Sequence, residues 1–268
     1  MIIPRHEVIK AVGLDKFGLT FLADPLMKFF KIKAVNNVYK KIQSYEKDEF
    51  ISQLLSELNI ETDPLDDWKN KIPKSGPFIL VANHPHGALD GIGLFKIIRE
   101  VRPDFVFMGN FLLSRIKQME GMVISVNPLE KHKNAYNSLS GLRAALGFLK
   151  DGGAMGMFPA AGMSNFQLSS MRIEDPLWNV SATKFIRKAK CPVLPVFIHG
   201  YNSWRFQLAS YLSRDLKLVQ QVPETFRKSG KKFTVTVGQA ENIPAHLIKE
   251  NPEILGKYLR GLVYALNN

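Results

Sequence analysis

The chain has 268 residues, 46% of them hydrophobic, enough to bury one large core, and its 36 Lys/Arg against 24 Asp/Glu leave a formal charge of +12. That balance asks for an anionic partner: nucleic acid, an anionic membrane surface or an acidic carrier protein. A single cysteine, Cys191, excludes a disulfide framework and fits a reducing compartment.

Residues 1–60 read as helical. The segment from Phe17 to Ile32 carries Phe17, Leu19, Phe21, Leu22, Leu26, Met27, Phe29 and Phe30, broken at Asp24-Pro25. Residues 1–47 hold nine Lys/Arg and four Asp/Glu. Aromatic and aliphatic residues beside lysines suit an interfacial helix, whose apolar face enters the acyl boundary while ammonium groups meet lipid phosphates. The same pattern also suits an amphipathic helix packed on the protein's own core. No run of about 18 apolar residues is present, so no spanning helix is expected. The N-terminus lacks the pattern of a signal peptide, and the protein is expected to stay on the side where it is made.

Turn formers from Glu61 to Gly76 mark a linker. The expected division is therefore a helical, membrane-associating extension with its linker, 1–71, and a main domain, 72–268. In that domain strand-like runs at 78–82, 105–108, 122–126, 154–158, 193–198 and 233–237 alternate with helical ones. Leu139, Leu142, Leu146 and Leu149 share one helix face that ends at Asp151-Gly152-Gly153. The alternation predicts an α/β fold, a mixed sheet with flanking helices.

The chemistry concentrates in Val81-Ala82-Asn83-His84-Pro85-His86-Gly87-Ala88-Leu89-Asp90. An apolar strand ends in Asn-His, a Pro/Gly turn follows, and a helix begins near Asp90. Strand ends in α/β sheets are where ligand sites form. On one ideal helix, positions six apart lie about 240° around and do not face each other. His84 and Asp90 meet only if the His-Pro-His-Gly segment is a loop. Asp90 then fixes the imidazole tautomer, and the other nitrogen takes a proton from a hydroxyl without a covalent intermediate. Alternatives are a metal held by His84, His86 and Asp90, or a structural histidine. A Ser-His-Asp hydrolase would need a Gly-x-Ser-x-Gly elbow, which the chain lacks.

Asn83-His84 followed by Asp90 resembles the first motif of the glycerolipid acyltransferases, the superfamily that includes 1-acyl-glycerol-3-phosphate acyltransferase. Gly121–Val126, Phe158–Ser164 and Cys191–Ile198 resemble its second, third and fourth blocks, in order. Asn-His-Pro, Gly-Ala-Leu-Asp-Gly and His199-Gly200-Tyr201-Asn202-Ser203 are most similar to the hemolysin-like, lyso-ornithine-lipid acyltransferase branch. The resemblance implies the glycerolipid acyltransferase fold, with His84 as base and Asp90 orienting it. It implies no metal and no cofactor. The acyl donor would be an acyl carrier protein or coenzyme A thioester, and the acceptor a lysolipid hydroxyl.

The chain departs from the superfamily pattern in three places. The common pattern has one residue fewer between histidine and aspartate than the five here. His84 is preferred to His86 because it follows Asn83. Where the Phe-Pro block usually continues Glu-Gly-Thr, this chain reads Ala160-Ala161-Gly162, and Val126-Asn127-Pro128 replaces the arginine that usually ends the second block. Both losses point from a glycerol-phosphate acceptor toward a lyso-aminolipid. His-Pro-His-Gly also resembles the diacylglycerol acyltransferase motif, which keeps a neutral acceptor open.

Asn83, His86, Gly87, Ala160, Ala161, Gly162, Ser164, Lys131 and Arg172 complete the expected substrate site. In it Gly162 and Ser164 either offer N–H groups to an oxyanion or form a plain turn. Lys131, Lys133 and Arg172 either hold an acidic group or face solvent. Trp204, Phe206, Leu208, Tyr211 and Leu212, with Arg205 and Arg214, form either a second lipid-facing patch or a core helix. The resulting expectation is an enzyme of membrane lipid biosynthesis, peripheral or monotopic on the cytoplasmic face, that binds no nucleic acid. A non-catalytic lipid-binding protein on the same scaffold is the alternative.

Overall fold

The structure is a computed structural model that describes residues 5–6, 9, 14–15, 18–109, 116–125, 135–212 and 214–267, with backbone alone at 135–139, 214–216, 218 and 219. Phe17, Lys131, Lys133 and the 126–128 end of the second block lie outside the described residues.

In chain order the first elements are α1 (Ala23–Phe29), α2 (Ile32–Ile42), α3 (Lys47–Glu57), β1 (Glu61–Pro64), α4 (Trp68–Lys71), β2 (Phe78–Ala82) and α5 (Ala88–Ile98). Next come β3 (Val106–Gly109), β4 (Val123–Ser125), α6 (Ala135–Lys150), β5 (Ala154–Met157), β6 (Asn165–Gln167), β7 (Arg172–Glu174), α7 (Val180–Ala189) and β8 (Val193–Ile198). The last are α8 (Trp204–Leu212), α9 (Arg214–Arg227), β9 (Lys232–Val237), α10 (Ala245–Lys249) and α11 (Pro252–Tyr264). Two compact units result, one of residues 1–61 with 202–231, the other of 62–201 with 232–268. The N-terminal helices thus share a unit with a segment far along the chain, while 62–71 of the expected 1–71 extension belongs to the larger unit.

The larger unit is built on a seven-stranded sheet in the order β1-β9-β8-β2-β5-β3-β4. Strands β8, β2, β5, β3 and β4 run parallel, and β9 turns antiparallel to β8. A short hairpin, β6–β7, stands apart. All five residues of β2 are buried, as a parallel strand covered on both faces requires. Ile79 and Val81 join a core with α6, α7 and α11, where Leu255, Leu259 and Val263 repeat at helical spacing. Phe95 of α5 instead meets Phe105 and Phe107 edge-on. Local signals fix these helices. Asn251 caps α11 by accepting the Glu253 N–H, with Pro252 in the first turn, and Asn179 caps α7 through Ser181. Gly152, at φ +92°, ends α6. At Gly93 a Cβ would fall 2.2 Å from the Phe233 ring, so only glycine lets α5 lie this close to β9. Cys191 is buried, and burial pushes its thiol up to about 11, as befits a core residue.

The smaller unit is helical. The break expected at Asp24-Pro25 falls elsewhere: Pro25 sits in the first turn of α1, where proline is tolerated. The chain turns at Lys31 instead, in left-handed backbone. Met27, Phe30 and Ile32 form a small core with Leu26 and Val222. On α8, Phe206 is buried whereas Trp204, Leu208, Tyr211 and Leu212 are exposed, so the helix has both the core face and the outward apolar face that were alternatives in the sequence. Among the described residues no helix is long and apolar enough to cross a membrane.

Candidate active site

Three neighbouring parallel strands, β8, β2 and β5, end on one edge of the sheet, and the first, third and fourth sequence blocks are their carboxyl ends. After β2 the chain builds the β3, β4 and β5 side before crossing to β8, so the order reverses beside β2, where open α/β sheets place ligands. The second block forms β4 at the far edge, two strands beyond β5.

Asn83 ends β2. Its side chain donates to the Ile198 carbonyl at 2.9 Å and accepts the Ile198 N–H at 2.7 Å. An amide can imitate a peptide unit, and here it continues the β2–β8 ladder. Both polar ends face the scaffold, so Asn83 belongs to the frame rather than to the expected substrate-binding set. His84 follows it, and Pro85–Gly87 is the loop that the His84–Asp90 spacing required. Gly87 precedes α5 at φ 74°, ψ −131°, a conformation glycine allows.

Asp90, fully buried in the first turn of α5, accepts the backbone N–H groups of His86 (2.8 Å) and Gly87 (3.0 Å) on Oδ2. The same oxygen lies 2.8 Å from His84 Nδ1, with the ring too oblique for a straight hydrogen bond. The extra residue in this chain's spacing is absorbed in the loop. The His84 ring stacks on Phe158 at 4.1 Å between centroids, and Phe158 stacks on Phe107. Nδ1 is buried while the side chain as a whole keeps 19% exposure. His86 is placed differently. Its ring Nε2 is 2.8 Å from the His199 carbonyl, an acceptor, and Asp90 reaches only its main chain. Among the described residues no three His, Cys, Asp or Glu side chains are grouped to hold a metal ion.

The loop after β5 meets His84 from the other side. Ser164 was a candidate oxyanion donor, but its N–H donates to the His84 carbonyl at 2.8 Å and its hydroxyl to Asp175 at 2.6 Å. It therefore holds the loop and has no N–H left for an oxyanion. Gly162 donates to no acceptor among the described residues. Ala160 is buried, and Ala161 takes left-handed backbone at φ 54°. Arg172 is exposed on β7.

Asp175 escaped the sequence reading. It is buried between β7 and α7 and accepts the His84 N–H at 3.0 Å, the Ser164 hydroxyl and the Trp178 indole N–H at 3.3 Å. The Tyr264 hydroxyl lies 2.8 Å from its N–H, and Arg260 donates to its carbonyl. Burial raises the Asp175 carboxyl above its ordinary value, against the hydrogen bonds that lower it. Only an acid before a proline in Asp175-Pro176-Leu177-Trp178 could have flagged it, and that pattern reads as a turn.

No protein-family model matches the chain. The lyso-glycine lipid O-acyltransferase of Bacteroides thetaiotaomicron is 26% identical over 202 residues, 73% of this chain and 72% of that protein. A protein of the same name from Phocaeicola vulgatus is 24% identical over 203 residues, 73% of this chain and 70% of that protein. The crystal structure of the 1-acyl-sn-glycerophosphate acyltransferase from Thermotoga maritima aligns over 92% of this chain and 88% of that one, at 15% identity and a TM-score of 0.49. Curated O-acyltransferases similar over most of the length, together with ordered motif blocks that resemble those of the glycerolipid acyltransferases, identify the chain as an O-acyltransferase.

Proposed function

We propose that this enzyme moves a fatty acyl group from a thioester to the hydroxyl of a lysolipid, and that a lyso-aminolipid such as lyso-glycine lipid is preferred to lysophosphatidic acid. The observation that carries the chemistry is His84 Nδ1 at 2.8 Å from a buried Asp90 carboxylate, at the end of the central strand. In this reading a small turn of the ring lines Nδ1–H up with Asp90, and Nε2 takes the acceptor's hydroxyl proton as the oxygen attacks the thioester carbonyl. The tetrahedral adduct collapses, the C–S bond breaks, and the imidazolium returns its proton to the departing thiolate. Ester and free thiol are the products, and no acyl-enzyme is formed. The Gly162 N–H, in the loop after β5, would donate to the developing oxyanion in this reading.

The acceptor preference rests on Ala160-Ala161 in the Phe-Pro block, on Asn127 where an arginine is usual, and on the two lyso-glycine lipid relatives. The donor is an acyl carrier protein or coenzyme A thioester; a charge of +12 suits an acidic carrier. The protein works at an anionic membrane surface, on its cytoplasmic face. Residues 1–47 supply an excess of basic charge, and residues 202–231 hold six Lys/Arg against two Asp/Glu. The exposed Phe29, at 67%, and the α8 stripe supply apolar surface. The test is a side-by-side assay with lyso-glycine lipid and lysophosphatidic acid under each donor. Faster acylation of the lyso-glycine lipid is expected; a clear preference for lysophosphatidic acid overturns the assignment.

A further inference from the structure

His84 is held by its main chain as well as by its ring. Its N–H donates to Asp175 Oδ1, and its carbonyl accepts the Ser164 N–H. Ser164 in turn gives its hydroxyl to the same Asp175 oxygen, so three groups close a small ring of bonds around one carboxylate. Oδ2 takes the Trp178 indole N–H. The residue's own N–H and carbonyl are tied to Tyr264 and Arg260 of α11, and Arg260 also pairs with Glu174. A buried carboxylate without a full set of donors is costly, whereas this one has a donor on each oxygen. That expense is out of proportion for a turn residue at the foot of a three-residue strand.

We infer that Asp175 is a positioning residue for acyl transfer: through the His84 N–H and the Ser164 hydroxyl it sets where the imidazole stands relative to the loop after β5. Asp90 orients the ring from the α5 side, and Asp175 fixes the main chain that carries the ring from the α7 side. The Asp175 carboxylate is taken up by the His84 N–H, the Ser164 hydroxyl and the Trp178 indole, so it acts through these groups. Its effect is on the rate of the bound complex and not on binding, because a reacting group displaced by about 1 Å costs on the order of 10²-fold. This inference rests on His84 being the base.

The experiment compares Asp175→Ala, Asp175→Asn and His84→Ala with wild type, measuring kcat and KM for donor and acceptor together with the melting temperature. Asp175→Ala is expected to lower kcat about 100-fold with both KM values within about twofold. Asp175→Asn keeps one acceptor oxygen for His84 and Ser164, and is expected to recover most of that loss. A folded Asp175→Ala variant with kcat near wild type, a loss confined to KM, or an Asn variant as slow as the Ala one overturns the inference. If Asp175→Ala does not fold, Trp178→Phe decides: it removes one donor from Oδ2, a several-fold lower kcat at unchanged KM supports positioning, and unchanged kcat overturns it. His84→Ala separates the two claims. If it retains turnover, the base assignment itself is wrong; if it is inactive while the Asp175 variants match wild type, only the role of Asp175 fails.

Discussion

The loop around His84 and the α8 helix of the smaller unit use their side chains in opposite ways. Around His84 the residues are tied to one another: Asn83 to Ile198, Ser164 to His84 and Asp175, and Asp90 Oδ2 to two backbone N–H groups, which leaves Asp90 Oδ1 and His84 Nδ1 as buried polar atoms without a hydrogen bond among the described residues. On α8, Trp204 and Leu212 stand 69% and 68% exposed, with Arg205 stacked over the Trp204 ring. The first region is held in place by contacts within the protein. The second is apolar surface left in water, so its meaning lies in what it meets. A site that must hold a ring in place needs many bonds; a surface that meets a fluid bilayer needs only area and charge.

If the contrast is right, the largest effect belongs to the region around His84. His84→Ala should lower kcat about 10²–10⁴-fold, with a circular dichroism spectrum like that of wild type. Asn83→Ala should act on stability. It strands the buried N–H and carbonyl of Ile198, at about 2–4 kcal/mol, read as a lower midpoint in denaturant with an unchanged slope. If it cripples kcat at wild-type stability, Asn83 faces the substrate after all.

In the surface region, Trp204→Ala with Leu212→Ala should weaken partition onto anionic vesicles roughly tenfold, since about 25 cal/mol per Å² of buried area makes two large side chains worth more than about 1.4 kcal/mol. High salt should weaken the wild type as well. Equal binding of variant and wild type in vesicle co-sedimentation would show that this face meets something else. The smallest change is expected at Ala161, in left-handed backbone at φ 54°. Ala161→Gly removes that strain but adds freedom to the unfolded chain, so the melting free energy should move by less than about 1 kcal/mol.

Six of the seven sheet strands were legible because they are apolar runs between turn signals, and β2 and β8 appear with the expected bounds. The hairpin β6–β7 was not, since three-residue strands with mixed burial have no period to read. The His84–Asp90 pair was legible because both ends lie within one strand–loop–helix unit. Asp175 was missed because its bond to His84 spans 91 residues, and nothing local marks it. Ser164 and Asn83 stand in the right blocks, but their bonds to the main chain depend on how β2, β5 and β8 line up. The grouping of 202–231 with the N-terminal helices is likewise a tertiary fact that composition does not record.

His84 is proposed to deprotonate the acceptor for direct attack on the thioester. Rapid mixing of the purified enzyme with acyl donor, with and without lysolipid, while following free thiol, tests it most directly. Wild type should release thiol only when acceptor is present, one thiol per ester formed, and His84→Ala should release almost none in either case. A stoichiometric burst of thiol without acceptor, or wild-type release from His84→Ala, would contradict it.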